Sequence, residues 1–359
     1  MRMRSLRRGC CYGVLVCLFL LSAPTYCRRK LTEVHRIIAV GDVHGDVDSF
    51  LKALRIANLV EESATGAADV LENPPRWKHS TNEANGTTVR TTLIQVGDLI
   101  DRGDQDLQVL NVAISLQEQA AQSGLKDKVV LLIGNHELLN LQGHYHYVNR
   151  KSYGGFMSEA LRAEGMKPTG AFGKYIVENF KVAHMDEGVL FLHAGIETRM
   201  KIKDVEALNA EVREALHQGV SRHSYLGSSG PLWTRKMIRE SMRNKCADVR
   251  AALKQLNATR VVVGHTPQES GNIGQYCDGQ VLAIDVGMSR WMYGEVAVLE
   301  LVFFKYTDSI TGASSVNLVI SELREGVSGL LHTDAEEGNG LDAAGGGDSA
   351  EENDIVDDL

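Results

Sequence analysis

The chain has 359 residues, 43% of them hydrophobic, which is enough for one large or two small domains with a sizeable core. Its net charge of -8 is unevenly spread: residues 1–30 carry seven Arg or Lys and no acid, residues 332–359 carry ten Asp or Glu and no base, and the stretch between holds 31 bases against 36 acids. No basic face emerges, so no nucleic-acid partner is expected.

Residues 1–27 combine a basic segment through Arg8, an apolar run over 13–21 and small residues at Ser22 and Ala23, the three parts of a secretory signal. Cleavage is expected between Ala23 and Cys27. The run falls short of the ~20 apolar residues of a spanning helix, so membrane attachment is expected only if the segment stays uncleaved as an anchor. An Arg-rich organelle presequence is the less favoured alternative to a location in the secretory pathway, whether the ER lumen, the endomembranes or outside the cell. Cys10, Cys11, Cys17 and Cys27 lie in this segment. Cys246 and Cys277 remain for the folded part, either as one disulfide in an oxidising lumen or as two buried thiols. Asn85-Gly86-Thr87 and Asn257-Ala258-Thr259 are glycosylation sequons, the second against a core strand.

The first strand is expected at 37–40, running into Gly41, Asp42 and His44. Helical spacing of Val47, Phe50, Leu51, Leu54 and Ala57 follows over 46–59, with Asp residues at its start. Residues 61–90 lose periodicity and gather Asn, Pro, Gly and Thr; they read as an exposed insertion in which Trp77 is either an anchor onto the domain or a partner contact. The stretch LIQVGDLIDRG at 93–103 takes a buried strand into Asp98, Asp101 and Arg102, and an amphipathic helix is expected over 104–122. A third strand at 128–133 leads to Asn135, His136 and Glu137. Strand, helix, strand, helix, strand with short connections signal a parallel α/β core. Residues 138–148, rich in His and Tyr, form either a substrate wall or a cap loop packing its own aromatics. One or two helices are expected over 153–180, then an antiparallel pair at 181–184 and 189–193 ending on His193, a helix over 201–217, and a loop through Gly227, Gly230 and Pro231 into Trp233 and Arg235. After a helix near 247–256, strands around Val261, Val281, Val296 and Val316 are expected to form a second, mainly antiparallel layer. From Thr333 the chain is almost wholly Gly, Ala and acid, and 332–359 are expected to be a disordered acidic tail beyond a domain spanning 28–331.

Five strand tips thus present Asp42 and His44, Asp98, Asn135 and His136, His193, and His265, all oxygen or imidazole donors. That set suits Mn, Fe or Zn at a hydrolytic centre, with no thiolate among them. The ligands divide into two metal sites: Asp42 and His44 for one, Asn135, His193 and His265 for the other, with Asp98 bridging. Two divalent ions ~3.5–4 Å apart lower the pKa of a shared water and make it a nucleophile for in-line displacement. A phosphate ester is the expected electrophile, with Arg102 and then Arg235 to pair its equatorial oxygens. His136 is the expected acid for the leaving oxygen, oriented by Asp101. No CX5R loop and no G-x-S-x-G motif supports a cysteine or serine nucleophile.

GDVHG at 41–45, GDLIDRG at 97–103, GNHE at 134–137, HAG at 193–195 and GHT at 264–266 resemble the PPP metallophosphatases in order and approximate spacing. HAG stands where the eukaryotic serine/threonine members carry HGG, and no SAPNY-type stretch is found. GDLIDRGDQ, GNHELLNLQG, PLWTR and VVVGHTPQ are most similar to the Shewanella-like protein phosphatases. The resemblance implies a calcineurin-like metallophosphoesterase fold of the α/β class, a central two-sheet β-sandwich flanked by helices. It also implies two divalent metal ions, with Mn expected and Fe or Zn as alternatives, and phosphoprotein substrates carrying tyrosine or serine/threonine phosphate. A small-molecule phosphoesterase such as a dinucleoside polyphosphate hydrolase, and a non-catalytic binding module, are the competing readings.

Overall fold

The computed structural model describes residues 29–61, 69–122, 126–219 and 223–337. The signal expected over 1–27 and the chain beyond 337 lie outside them. Strand β1 (Arg29–Val40) starts earlier than its apolar run. It pairs in parallel with β2 (Thr88–Gln95), which pairs in parallel with β3 (Lys128–Leu131). Helices α1 (Val47–Ile56) and α2 (Asp106–Gln122) make the crossovers. Asp46 caps α1 by accepting from the Ser49 amide at 3.2 Å, so the first turn begins at the loop that carries Asp42 and His44. Burial of Val47, Phe50, Leu51, Ala53 and Leu54 follows the 3.6-residue period and turns one face of α1 onto the sheet.

The second sheet runs β4-β5-β6-β8-β7. Strand β4 (Ala183–Asp186) turns back antiparallel onto β5 (Val189–Leu192), while β5, β6 (Arg260–Val263) and β8 (Val281–Ala283) are parallel, with β7 (Gly274–Tyr276) on the edge. A bridge between Leu132 and Lys181 connects the two sheets at the end of β3. Helices α3 (Asn135–Leu141), α4 (Glu159–Met166), α5 (Ala171–Asn179), α6 (Val205–His217), α7 (Lys236–Ser241) and α8 (Ala247–Gln255) complete the layers around one continuous hydrophobic core. This is the expected α/β fold of two sheets flanked by helices.

The late strands depart from expectation. Strands β9 (Val298–Asp308) and β10 (Ser314–Arg324) extend the first sheet instead of the second, in the order β11-β10-β9-β1-β2-β3. β9 is antiparallel to β1 along nearly its whole length, because the early start of β1 presents an edge long enough to receive it. Strand β11 (Val327–Glu337) runs past the expected start of the disordered tail. The ladder to β10 satisfies its backbone, and Asp334 pairs with Arg260 at 2.5 Å, so acidic composition did not prevent pairing.

Most of the described residues in 61–90 are exposed, but the stretch is tied to the domain at two places. Thr88 to Arg90 already belong to β2, and Trp77 is an anchor, 2% exposed. The buried Asp127 carboxylate accepts from the Trp77 indole N–H at 3.2 Å and from the Ser80 and Thr91 amides, both at 2.8 Å. Cys246 and Cys277 form a disulfide across 31 residues, tying the start of α8 to the β7–β8 hairpin. Among the described residues no helix is long and apolar enough to cross a membrane.

Candidate active site

Parallel strands deliver their carboxyl ends to one side of a sheet, and ligands gather there. Here two sheets do so side by side. β1, β2 and β3 end at Asp42, Asp98 and Asn135; β5, β6 and β8 end at His193, His265 and Asp285. Asp42, His44, Asp98, Asn135, His136 and His265 line a cavity of about 140 Å³, and Arg102 and Arg235 face the same space. His193, with no exposed surface, lies just beneath, and Asp101 lies behind His136. All ten residues singled out from the sequence therefore meet at one place.

The loops are packed to a tolerance that only glycine meets. A Cβ on Gly134 would lie 2.1 Å from Asp98 Oδ1, and one on Gly264 would lie 2.2 Å from Asp42 Oδ1. Glu137, noted in the sequence without a role, clasps two loops. Its carboxylate accepts from the amides of Gly134 and Asp98, both at 2.8 Å, and of Leu99 at 2.9 Å. His44, Asp98, Asp101, Arg102 and His265 all hold positive φ, a costly backbone state that the surrounding contacts impose.

Asp98 Oδ2 is the common point. It lies 3.3 Å from His193 Nε2, 3.8 Å from His136 Nε2 and 3.9 Å from His44 Nε2. Asn135 Oδ1 is 2.9 Å from His193 Nε2, and Asp42 Oδ2 is 4.0 Å from His44 Nε2. Two triads of ligand atoms, each within 4.8 Å, share Asp98: one with His44 and His136, the other with His193 and His265. Backbone carbonyls orient three of these rings. His44 Nδ1 faces the Ile100 oxygen at 3.2 Å, His193 Nδ1 the Val96 oxygen at 2.9 Å, and His265 Nε2 the Trp233 oxygen at 3.1 Å, which leaves the other nitrogen of each turned to the cluster. His136 differs. Its Nδ1 faces a carboxylate, Asp101 Oδ2, at 2.8 Å.

The charges fit a divalent pair. Burial pushes His44 down to about 3 and His265 down to about 2, so both imidazoles are neutral at neutral pH, the form that can bind a metal. Burial raises Asp98, but the His193 and His136 imidazoles outweigh it and hold the carboxyl well below its ordinary range. Burial, with the Asp285 and Asp98 charges, pushes Asp42 well up, and burial with the Asp98 charge pushes Asp285 up to about 6 against a hydrogen bond with Asp42. Carboxyl groups gathered this tightly have a deficit of positive charge, which Arg102 and Arg235 at the rim do not fill. Neither arginine pairs with a carboxylate among the described residues. The Arg102 guanidinium lies 5.4 Å from the centre of the Tyr147 ring, and its Nε is buried without a partner.

Residues 35–269 match the calcineurin-like phosphoesterase family. The chain belongs to the calcineurin-like phosphoesterases. Within this family it is 29% identical over 272 residues to Shewanella-like protein phosphatase 1 of Plasmodium berghei, covering 72% of this chain and 69% of that protein. It is 28% identical over 313 residues to Shewanella-like protein phosphatase 2 of Arabidopsis thaliana, covering 73% and 74%. The cold-active protein-tyrosine phosphatase of a psychrophile Shewanella sp. shares the fold, with a TM-score of 0.62 at 20% identity over 86% of this chain and 85% of that one. This calcineurin-like phosphoesterase is a metal-dependent phosphatase.

The sequence reading missed two site residues of this phosphoesterase. Asp285 follows the apolar run 281–284 but with no glycine before it, so only part of the signal was present. Arg162, on α4, carries no local mark at all.

Proposed function

We propose that the chain is a phosphoprotein phosphatase that hydrolyses phosphomonoesters, tyrosine phosphate ahead of serine and threonine phosphate, with two divalent ions held by Asp42, His44, Asp98, Asn135, His193 and His265. Bound there, such ions supply Lewis acidity and lower the pKa of a coordinated water, with Mn the expected metal. Arg102 and Arg235 pair the equatorial phosphate oxygens, and neither is tied to a carboxylate among the described residues. His136 donates the proton that the leaving oxygen needs. Its Nδ1 is engaged by Asp101, so Nε2 carries the mobile proton toward the cavity.

One contrast carries this division of labour: three imidazoles are backed by neutral carbonyls, while His136 alone is backed by a carboxylate. Asp101 and Asp98 raise the His136 pKa against the pull of burial, as befits an acid. The cavity lining is partly aromatic, with Tyr147, 42% exposed, beside His136 and Trp233 beside His265, and this supports a planar phenolic leaving group. A secretory location is proposed from the signal-like residues 1–27, and the Cys246–Cys277 disulfide supports it.

Rates of the purified protein with Mn, Fe or Zn on a phosphotyrosine peptide, a phosphoserine peptide and a dinucleoside tetraphosphate test the proposal. The phosphotyrosine peptide is expected to lead. A dominant rate on the dinucleotide would replace the substrate assignment, and no hydrolysis of any aryl phosphate would leave a binding module.

A further inference from the structure

Arg162 is a fully buried charge that the proposed chemistry does not use. Its guanidinium is engaged on every side. Nη2 donates to Asp101 Oδ1 at 2.8 Å, Nε to Asn140 Oδ1 at 2.9 Å, and Nη1 to Asp106 Oδ2 at 2.7 Å and to the Tyr153 carbonyl at 3.0 Å. The Phe156 ring lies across its face, with its centroid 5.3 Å away. Asn140 closes the circuit, its Nδ2 donating to both Asp101 oxygens at 3.0 Å and to the His136 carbonyl at 2.9 Å. Asp101 Oδ1 thereby accepts from Arg162 and Asn140, and Oδ2, also touched by Asn140, is the oxygen that faces His136 Nδ1 at 2.8 Å.

We infer that Arg162 is a positioning residue for protonation of the leaving group: it locks the Asp101 carboxylate in the one orientation that presents Oδ2 to His136 and keeps His136 Nε2 aimed at the departing oxygen. The inference rests on the phosphatase reading above. In the step it serves, the water oxygen bonds to phosphorus and the ester P–O bond breaks with its electron pair on the departing oxygen. His136 Nε2 gives that oxygen its proton, and the proton released by the water restores His136 through solvent.

Geometry calls for arginine here. A planar fork can span the Asp101 and Asp106 carboxylates while its Nε holds Asn140; a lysine, with one ammonium, cannot hold all three in fixed directions. The chain also clears space for it. Gly154 sits at φ 68°, and a Cβ there would lie 2.5 Å from Arg162 Nη1 and 2.3 Å from Asp106 Oδ2. A purely structural ion pair would not need Asn140 shared between Arg162, Asp101 and the His136 carbonyl.

The test is the ratio of kcat on phenyl phosphate, whose leaving oxygen needs a proton, to kcat on 2,4-dinitrophenyl phosphate, whose leaving oxygen does not. Arg162→Met is expected to slow phenyl phosphate ~10–100-fold, the range for removing an outer partner of a site residue, and the dinitrophenyl ester by no more than about twofold. Bound metal is expected to stay at the wild-type level. Arg162→Lys should restore part of the ratio, and adding Arg162→Met to Asp101→Asn should cost nothing further, because Arg162 acts through Asp101. If Arg162→Met does not fold, Arg162→Lys is read by the same ratio. Equal losses on both esters, or no loss on either, would overturn the inference while leaving the phosphatase reading intact. A wild-type protein inactive on both esters with Mn would remove the phosphatase reading and the inference with it.

Discussion

Glu33, His35 and Glu187 bring two carboxylates and an imidazole within 4.8 Å of one another at one end of the strands, and His44, Asp98 and His136 bring one carboxylate and two imidazoles equally close at the other. His35 and Asp42 sit on the same strand and its tip, roughly 20 Å apart at 3.3 Å per residue. Both clusters mix carboxylates with imidazoles, yet they differ in the cations beside them. Arg90 places Nε 2.8 Å from Glu33 and Nη2 2.6 Å from Glu187, and Lys305 Nζ lies 2.6 Å from Glu187. The lower cluster therefore carries its own cations, and an incoming divalent ion would have to displace them. The upper cluster gathers Asp42, Asp98 and Asp285 with no Lys or Arg paired to them among the described residues. Donor type and spacing nominate a metal site; a missing internal counter-charge distinguishes it from a structural ion-pair network.

The largest expected effect breaks the upper cluster at its shared ligand. Asp98→Asn should lower bound metal, read by elemental analysis, and cut activity by more than the ~10–100-fold typical of losing an outer partner. Retained stoichiometric metal would count against Asp98 as the bridge. His136→Ala should slow turnover ~100-fold or more while metal content stays unchanged. Metal loss in that variant would place His136 among the ligands, where distance alone also allows it.

The lower cluster should answer in stability instead. Lys305→Met removes a charged hydrogen bond from Glu187 and is expected to lower the urea unfolding free energy by about 1–2 kcal/mol, with activity and metal content unmoved. A change in metal content would mean that the two ends are not independent. The smallest effect is the pH response of Glu187. The His35 hydrogen bond, against burial and with help from Lys305, lowers its pKa from the ordinary 4.5 to about 2. A depressed folded-state pKa stabilises above the unfolded value and is lost as pH falls. The urea midpoint should therefore decline between about pH 4.5 and 2, and Glu187→Gln should flatten that part of the profile. An unchanged slope in Glu187→Gln would assign the decline to other carboxylates.

The strand tips were legible because their signal is local: an apolar run, a glycine that permits close approach, then a polar residue, all within one short stretch. Asp285 also ends an apolar run, but neither a glycine before it nor a histidine beside it marks it. The sheet membership of β9 and β10 was misjudged for a different reason. An alternating apolar strand states that one face is buried and says nothing about which edge it joins, and the extended start of β1 decided that. β11 escaped because acidic composition describes solvation, whereas Arg260 and the β10 ladder supplied partners from afar.

From the sequence alone came the donor set, the α/β order and the family resemblance, since each is written in residue types at short spacing. What only the tertiary structure decided is which of two similar clusters lacks a paired Lys or Arg among the described residues, which histidine faces a carboxylate, and that Arg162 stands behind Asp101 from 61 residues away. Those are facts of charge and hydrogen-bond partnership across distant segments, and they exist only once two sheets have brought six strand ends to the same place.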